Sequence, residues 1–313
     1  MAFRLRLIPA KTNVAFLRVR LIAFAFSGLL ALGSLAMFFG PGLNKGIDFE
    51  GGIMMEVATS GPAPLGELRT LLNGLGLGEV ALQEFGAAND VLIRIERQPG
   101  GDEAQKKAVD SVKATLNEAF DHLSYRRVEF VGPKVSGELV EAAAYAVVAS
   151  VIAMLLYIWF RFEWQFSVGA VVALIHDVVL TMGMFAVTRI EFNLASVAAI
   201  LTIVGYSIND TVVVYDRVRE NLRKYKQLEL AKLLDLSINE TLARTTMTSF
   251  TTLLALFALF FFGGEVIRGF SFAMIWGIVV GTYSSIFIAA PILLALGLKR
   301  RADERDAAAN AKA

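Results

Sequence analysis

An amide and a carboxylic acid stand side by side inside an apolar stretch of this chain. They are Asn209 and Asp210 in GYSINDTVVVYDRVREN, which runs from Gly205 to Asn221. The last charge before them is Glu191, and the apolar length around them is typical of a membrane helix. A charged side chain in hydrocarbon costs at least ~2.5–3.5 kcal/mol, so such residues are rare and typically functional. The chemistry that suits this position is reversible proton binding.

A basic residue stands at a matching place in the next apolar stretch. NETLARTTMTSFTTLL puts Arg244 just inside the start of that stretch, with Thr248 on the same helical face. Because consecutive spans are antiparallel, Asp210 and Arg244 are expected at similar depth, where an ion pair relieves both desolvation costs. The pair is either a static salt bridge between two helices or a switch in which protonation of Asp210 releases Arg244.

A second polar pair, His176 and Asp177 in LIHDVVLTMGMF, stands near the middle of another apolar stretch. An imidazole titrates near neutral pH, so the pair is suited to relaying protons. Adjacent helical residues point in different directions, however, and do not have to bond each other. A buried interhelix hydrogen bond is the alternative. The hydroxyls of Thr181 and Thr248 either extend a water chain or satisfy helix backbones.

Small residues recur at every fourth position of the last apolar stretch. The series is Gly269, Ala273, Gly277, Gly281, Ser285 and Ala289. This spacing predicts close helix contact, within this chain or with another subunit, and no chemistry.

The composition belongs to the membrane class. Of 313 residues, 56% are hydrophobic and 19% are charged, whereas soluble domains carry about 25% charge. A net charge of +1 argues against a nucleic-acid partner, and the lack of cysteine excludes disulfides and thiolate metal sites. The common phosphate-loop, zinc-protease and nucleophile-elbow motifs are also missing. The common enzyme signatures and thiolate metal ligands are therefore absent; we expect no enzymatic activity and assign no metal site.

Six stretches are long and apolar enough to span a bilayer as helices. They are residues 21–39, 140–160, 166–188, 194–214, 242–262 and 270–298. The first exceeds the ~7–15 apolar residues of a signal peptide, so we expect it to be retained. The fold class predicted is a polytopic α-helical membrane protein with six transmembrane helices.

Lysine and arginine are concentrated in three segments, residues 1–20, 215–241 and 299–313. Six crossings place all three on one side, which the positive-inside rule makes the cytoplasm. Both ends of the chain are then cytoplasmic, and the short loops 189–193 and 263–269 lie outside.

One segment outside the spans is large enough to fold, residues 40–138 between the first and second spans. Strand and helix patterns alternate in it in the order βαββαβ, with the two central strands joined by the turn GAAN. This order predicts a ferredoxin-like extracytoplasmic domain. The domain has no catalytic cluster, which favours an interaction or lever role.

Five motifs, spread in order over nearly the whole chain, resemble those of the SecF family of protein-export subunits. They are GIDFEGG (46–52), VGPKVSGEL (131–139), GYSINDTVVVYDRVREN (205–221), NETLARTTMTS (239–249) and GTYSSIFIA (281–289). Two positions depart from the family pattern, Ser136 in place of glycine and Tyr215 in place of phenylalanine. Neither touches the charged sites.

The resemblance implies half of a resistance–nodulation–division architecture in the bacterial inner membrane. It implies SecD as partner, together with the SecYEG channel, the SecA ATPase, preprotein substrates and, as further candidates, YidC and YajC. The energy source would be the proton-motive force, with no cofactor. In the family, the acid of SIND and the arginine of LART belong to the proton path; they match Asp210 and Arg244. Asp177, His176, Asn209 and Thr248 are the further residues that we assign to the path.

The two motifs that flank the outer domain are candidate hinges. Their residues are Gly46, Asp48, Gly51, Gly52, Gly132 and Pro133. How a motion in the membrane reaches the outer domain does not follow from the sequence.

Three other functions remain as alternatives. One is a purely structural subunit that stabilises SecD, and another is a half-exporter for lipids or small molecules. An intramembrane aspartyl protease would also need two acids, which Asp177 and Asp210 would supply. Such proteases carry the second acid in a G-x-G-D context, whereas Asp210 follows YSIN.

Overall fold

The computed structural model describes residue 9 and residues 12–298, apart from the side chains at positions 133 and 265. The elements, in chain order, are a 3₁₀ turn (Phe16–Val19), α1 (Arg20–Phe39), α2 (Ile47–Glu50), β1 (Gly52–Ala58), α3 (Leu65–Asn73), β2 (Val80–Phe85), β3 (Ala87–Ile95), α4 (Asp102–Ala119), β4 (Ser124–Val131), α5 (Pro133–Arg161), α6 (Trp164–Thr188), α7 (Leu194–Lys224), α8 (Leu230–Phe262), α9 (Glu265–Ser284), a π-helical turn (Ser285–Ala289) and α10 (Ala290–Ala295).

Six helical segments of the described chain are long and apolar enough to cross a membrane. Spans one to five are α1, α5, α6, α7 and α8, and span six is formed by α9 with the π turn and α10. The predicted class of multi-pass helical membrane protein is therefore confirmed. Arg4, Arg6 and Lys11 of the basic N-terminal segment, and the whole predicted tail 299–313, lie outside the described residues.

The domain between spans one and two has the predicted ferredoxin-like arrangement. Its four strands form one antiparallel sheet in the order β2-β3-β1-β4. Helices α3 and α4 cover one face of the sheet, where apolar residues alternate along the strands. The centre of this core consists of Ile53, Met55, Leu68, Leu72, Ile93, Val112 and Leu116. The predicted turn GAAN is wrong, because β3 already begins at Ala87 and Gly86, at φ 82°, makes the reversal almost alone.

Two predicted boundaries need correction. Residues 215–241, predicted as a cytoplasmic loop, are helical except for 225–229, because α7 and α8 continue to pack together beyond the apolar stretch through Val218, Leu233 and Ile238. The outer domain and span two are also not separated near residue 138. Pro133 begins α5, a position that suits proline because the first helical N–H needs no partner.

Span three is the centre of the membrane bundle and packs against spans one, four and six. The small residues of span six line its packing against span four: a side chain at Gly277 would collide with Ile203, and one at Gly281 would contact Ser207. Ser285 instead donates to the carbonyl of Thr282, 3.0 Å away in its own helix. Span two is largely exposed in this chain, although Ile158 near its end is buried in the core of the bundle.

Tyr215 occupies the position where the family pattern has phenylalanine, and its ring is fully buried. A buried phenol needs a hydrogen-bond partner. Its hydroxyl donates to the carbonyl of Ala289, 3.0 Å away at the end of the π turn. The departure therefore adds a bond between spans four and six.

The closest helix crossing involves Gly183 of span three, where a Cβ atom would lie 2.7 Å from the Cα atom of Ser34 in span one. We expect Gly183→Ala to destabilise the protein by about 1–3 kcal/mol, since overpacking forces two backbones apart. Thermal unfolding in detergent measures the effect. Gly28→Ala is the matched control, because Gly28 is also helical and has open space around it; equal midpoints for the two variants would contradict the prediction.

Candidate proton site and its link to the outer domain

The carboxylate of Asp177 joins three membrane spans. Its Oδ1 atom lies 2.9 Å from Nδ1 of His176, so the neighbouring side chains do bond each other. Its Oδ2 atom accepts from the hydroxyls of Ser207 in span four and Ser284 in span six, the latter at 2.7 Å. Only 1% of Asp177 is exposed. Both oxygens of this buried acid are thus engaged within the bundle.

Asp210 has the opposite environment. It is also buried, with 2% exposure, but its Oδ2 atom has no hydrogen-bond partner among the described residues. Such an unsatisfied acceptor is costly in a medium of low dielectric constant. A proton on this oxygen would remove most of that cost, which makes Asp210 chemically suited to titration.

Contacts between spans four and five show which residues of span five lie at the level of Asp210. The hydroxyl of Tyr206 lies 3.4 Å from that of Ser249, and further along Arg217 binds Glu240. In this antiparallel register Asp210, four residues after Tyr206, is level with Thr245, four residues before Ser249. The hydroxyl of Thr245 is buried and also lacks a partner among the described residues. The interface therefore holds two unsatisfied polar groups at one depth.

The predicted ion pair between Asp210 and Arg244 is not formed. Arg244 is close enough to act on the carboxylate electrostatically, but the two side chains are not in ion-pair contact within the described part of the chain. The reason is rotational: Thr241, Thr245 and Ser249 form the buried face of α8. Arg244 is exposed on the surface of the helix bundle, and so is Asn209, one residue before Asp210.

The other hydroxyls named from the sequence bond their own helices. Thr248 donates to the carbonyl of Arg244, 3.0 Å away, and Thr181 donates to that of Asp177, 2.7 Å away. The geometry distinguishes Thr245 from the other threonines of span five, because its buried hydroxyl has no partner among the described residues. The sequence places Thr241, Thr245, Thr248 and Thr252 together on one face and gives no means of choosing between them.

The segment that enters the outer domain is bound to the loop between spans three and four. We call residues 41–50 the junction segment and residues 189–193 the outer loop. Gly46 N–H donates to the carbonyl of Phe192 at 2.8 Å, and Phe192 N–H donates to that of Asn44 at 2.7 Å. Asp48 then accepts from the N–H of Leu194, the first residue of span four, at 2.9 Å. Its negative charge also suits the positive end of that helix.

The sheet is attached to the same place through Arg94 of β3. Its guanidinium donates to the carbonyl of Lys45 in the junction segment and lies 3.8 Å from the carboxylate of Glu191 in the outer loop. Burial raises the pKa of Glu191 above its ordinary value, and Arg94 opposes that shift. One side chain of the outer domain therefore touches both the junction segment and the outer loop.

Most of the candidate hinge residues have fixed positions in this arrangement. A side chain at Gly46 would collide with Glu191, and one at Gly52 would lie 2.6 Å from the carbonyl of Ile95. Gly51 and Gly52 have φ of 74° and 121°, which favour glycine. Gly132 precedes the first residue of α5, Pro133. These features account for the glycines without a hinge, so the hinge hypothesis remains a prediction.

The chain matches two family descriptions in separate regions. "Protein export membrane protein SecD/SecF, C-terminal" matches residues 111–299, and "SecD/SecF GG Motif" matches residues 36–63. The first match covers more than half of the chain. The chain belongs to the SecD/SecF family of protein-export membrane proteins.

Full-length relatives in this family are protein translocase subunits. The chain is 47% identical to SecF of Rickettsia akari over 93% of its own length and 94% of that protein. It is 46% identical to SecF of Rhodobacter capsulatus, covering 98% of this chain and 96% of that protein. The role shared by these relatives is transport.

A solved structure has the same fold. SecDF from Thermus, a translocon-associated membrane protein, superimposes with a TM-score of 0.83 at 34% identity over 94% of this chain. The chain spans 40% of that longer SecDF chain. A SecDF structure in a super-membrane-facing form matches with a TM-score of 0.69 at 33% identity.

The buried carboxylate of Glu191 makes a prediction about pH. Because its pKa is raised in the folded protein, the stability associated with its protonated form is present below the unfolded-state pKa and is lost as pH rises through the folded pKa. Glutamine stays neutral at every pH. We expect Glu191→Gln to unfold at a higher temperature than the wild type at about pH 7, with the difference vanishing near about pH 4.

Thermal unfolding in detergent at the two pH values measures this difference. Glu67→Gln removes the same charge from the exposed face of α3 and serves as the control. A midpoint for Glu191→Gln below that of the wild type at about pH 7 would show that attraction to Arg94 outweighs burial.

Proposed function

We propose that this chain works with SecD to assist preprotein export by using the proton-motive force, without catalysing a reaction of its own. The observation that carries the proposal is the carboxylate of Asp210, which is buried in span four and leaves an oxygen unsatisfied. Membership of an export family supplies the task, and the unsatisfied acid supplies a place where a proton can bind. No cofactor other than the proton gradient is required.

The energies involved are of matching size. Holding a charge in the hydrocarbon region costs at least ~2.5–3.5 kcal/mol. One charge crossing the membrane potential gains about 2.3 kcal/mol per 100 mV. Protonation of Asp210 from one side and release to the other is therefore able to shift a two-state helix packing by more than tenfold.

An exposed polar face supports SecD as the partner. Asn209, Thr202 and Arg244 are exposed on the outer surface of spans four and five, at depths where lipid would otherwise contact them. Polar groups in membrane spans normally face protein or water. The SecDF structure is a single longer chain, and we infer that SecD covers this face and completes the surroundings of Arg244.

The wider setting follows from the same family. We infer a place in the bacterial inner membrane with both termini in the cytoplasm, consistent with the lysines and arginines of residues 215–241. The SecYEG channel, the SecA ATPase and unfolded preproteins are the expected partners, with YidC and YajC as further candidates. The outer domain then works on the side where the preprotein emerges.

His176 and Asp177 are assigned a positioning role in this proposal. Both oxygens of Asp177 are already used by His176, Ser207 and Ser284. The group therefore holds spans three, four and six together, and the moving proton belongs to Asp210. The second nitrogen of His176, Nε2, is buried and lacks a partner among the described residues, so it is the one part of this group open to a further bond.

The contacts of Arg94 give a route from span four to the outer domain. Span four carries Asp210 in its interior and begins at Leu194, which is bound by Asp48. Arg94 holds the sheet to the junction segment and to Glu191. A shift of span four along its axis would therefore move the outer domain, with the junction segment and the outer loop remaining together.

The first prediction concerns Asp210 itself. Asp210→Asn keeps the size of the side chain and removes its titration, so export of a secreted reporter should fall to the level of cells that lack the protein. Asp216→Asn is the matched control: the residue lies on the same helix but is partly exposed and paired with Arg161. Its loss should leave export near normal, since exposed ion pairs contribute roughly 0–1 kcal/mol.

Assembly with SecD and thermal stability separate the possible explanations. Asp177→Ala should lower the unfolding midpoint, because its donors lose a shared acceptor at roughly 1–2 kcal/mol in total, while Asp210→Asn should not. Normal export with Asp210→Asn would overturn the proton role. Loss of assembly with that variant would leave a purely structural subunit as the explanation.

The coupling route predicts a separate effect of Arg94. Arg94→Ala should reduce export while the chain still folds and assembles with SecD, because the sheet loses its attachment to the junction segment. Arg69→Ala removes an exposed arginine from α3 of the same domain as a control.

A disulfide tests whether the junction segment and the outer loop stay together. The native chain has no cysteine, so Lys45→Cys with Phe192→Cys introduces a single possible disulfide between bridged positions. Oxidation of that pair should leave export intact; a reversible block on oxidation would mean that the junction segment and outer loop must separate.

A further inference from the structure

A cleft with an excess of positive charge lies at the cytoplasmic ends of spans two and four. Its volume is about 370 Å³. The lining side chains are Arg161, Asp216, Arg219, Glu220, Arg223 and Lys224. Four of them are basic and two are acidic, so the cleft carries a net positive charge at neutral pH.

The two acids of the cleft are already paired. Asp216 binds Arg161 at 3.0 Å, and Glu220 binds Arg217 at 2.6 Å, three residues earlier in the same helix. The guanidinium of Arg219 lies 3.4 Å from the carbonyl of Arg161, the last residue of α5.

Two basic groups remain. Arg223 and Lys224 have no carboxylate partner among the described residues. The ammonium of Lys224 lies 5.0 Å above the ring of Tyr225, a weak contact that leaves its hydrogen-bond donors open. The cleft therefore offers unpaired donors for an anion.

The surroundings of the cleft are those of a membrane surface. Phe160, next to Arg161, is 99% exposed, and Trp159 and Trp164 are 61% and 55% exposed. Tryptophan is enriched at the level of lipid headgroups. The cleft therefore lies beside a surface of span two that lipid acyl chains can cover. A phospholipid would contact both the cleft and this surface, whereas a free phosphate ion would contact the cleft alone.

We propose that this cleft binds the phosphate of an anionic phospholipid, with the lipid chains lying along span two. Arginine donors suit phosphate oxygens, and basic pockets between spans on the cytoplasmic side recognise anionic headgroups. The inference rests on the proposed orientation of the chain and is independent of proton coupling at Asp210. A bound lipid would fix the end of span two against span four.

Native mass spectrometry of the full chain in mixed micelles tests the proposal. The probes are phosphatidylglycerol, phosphatidylcholine and inorganic phosphate, each added separately. We expect the chain to retain phosphatidylglycerol in preference to phosphatidylcholine. Each of Arg223→Gln and Lys224→Gln should weaken retention about fivefold. Lys232→Gln is the control, since that lysine lies on the same side of the membrane but pairs with Glu229 outside the cleft.

Two results would overturn the proposal. One is equal retention of phosphatidylglycerol by the cleft variants, the control and the wild type. The other is displacement of the lipid by millimolar inorganic phosphate, which would make the cleft a site for the free ion. Unchanged unfolding midpoints are expected for Arg223→Gln and Lys224→Gln, because neither side chain is in a salt bridge among the described residues, and they would show that both variants fold.

Discussion

The low dielectric constant of the membrane interior is the constraint on which the rest of this structure depends. A carboxylate there must gather donors or take up a proton. Asp177 gathers them from His176, Ser207 and Ser284, and the three spans that supply and carry these groups become the rigid centre of the bundle. The close crossing at Gly183 brings span one onto the same centre.

Asp210, one helical turn beyond Ser207, is also a buried carboxylic acid, but its surroundings differ from those of Asp177. Its neighbours at equal depth are the unsatisfied hydroxyl of Thr245 and, further out, the exposed guanidinium of Arg244. Because no described residue donates to Oδ2, the balance between the charged and neutral forms is left to the further surroundings of Asp210. In the proposed function this contrast separates the two acids by role: one holds the spans in place, and the other responds to protons and to a partner.

The sequence was sufficient for those features that depend on composition along one element. Six apolar lengths gave six spans, and alternating patterns gave the βαββαβ order, because each signal is local. The family motifs located the charged residues. The rotation of one helix against another could not be obtained this way: Asp210 and Arg244 are at similar depth as expected, but half a helix turn decides whether they touch. For the same reason Thr245 could not be distinguished from its neighbouring threonines. The contacts of Arg94 with Lys45 and Glu191 could not be predicted either, because these residues are 49 and 97 positions away from it in the sequence.

The geometry also changes what the glycines beside the outer domain imply about movement. A hinge needs backbone that is free to rotate, yet Gly46 lies against the carboxylate of Glu191, and Gly52 lies so close to the carbonyl of Ile95 that a side chain has no room there. Asp48, in turn, is bound to the start of span four. These contacts favour a junction that moves as one piece with span four over a junction that bends. A movement of span four caused by protonation of Asp210 would then be transmitted to the outer domain through the contacts of Asp48 and Arg94. Because the far edge of the sheet is distant from Arg94, a small shift of the helix would produce a larger displacement at that edge.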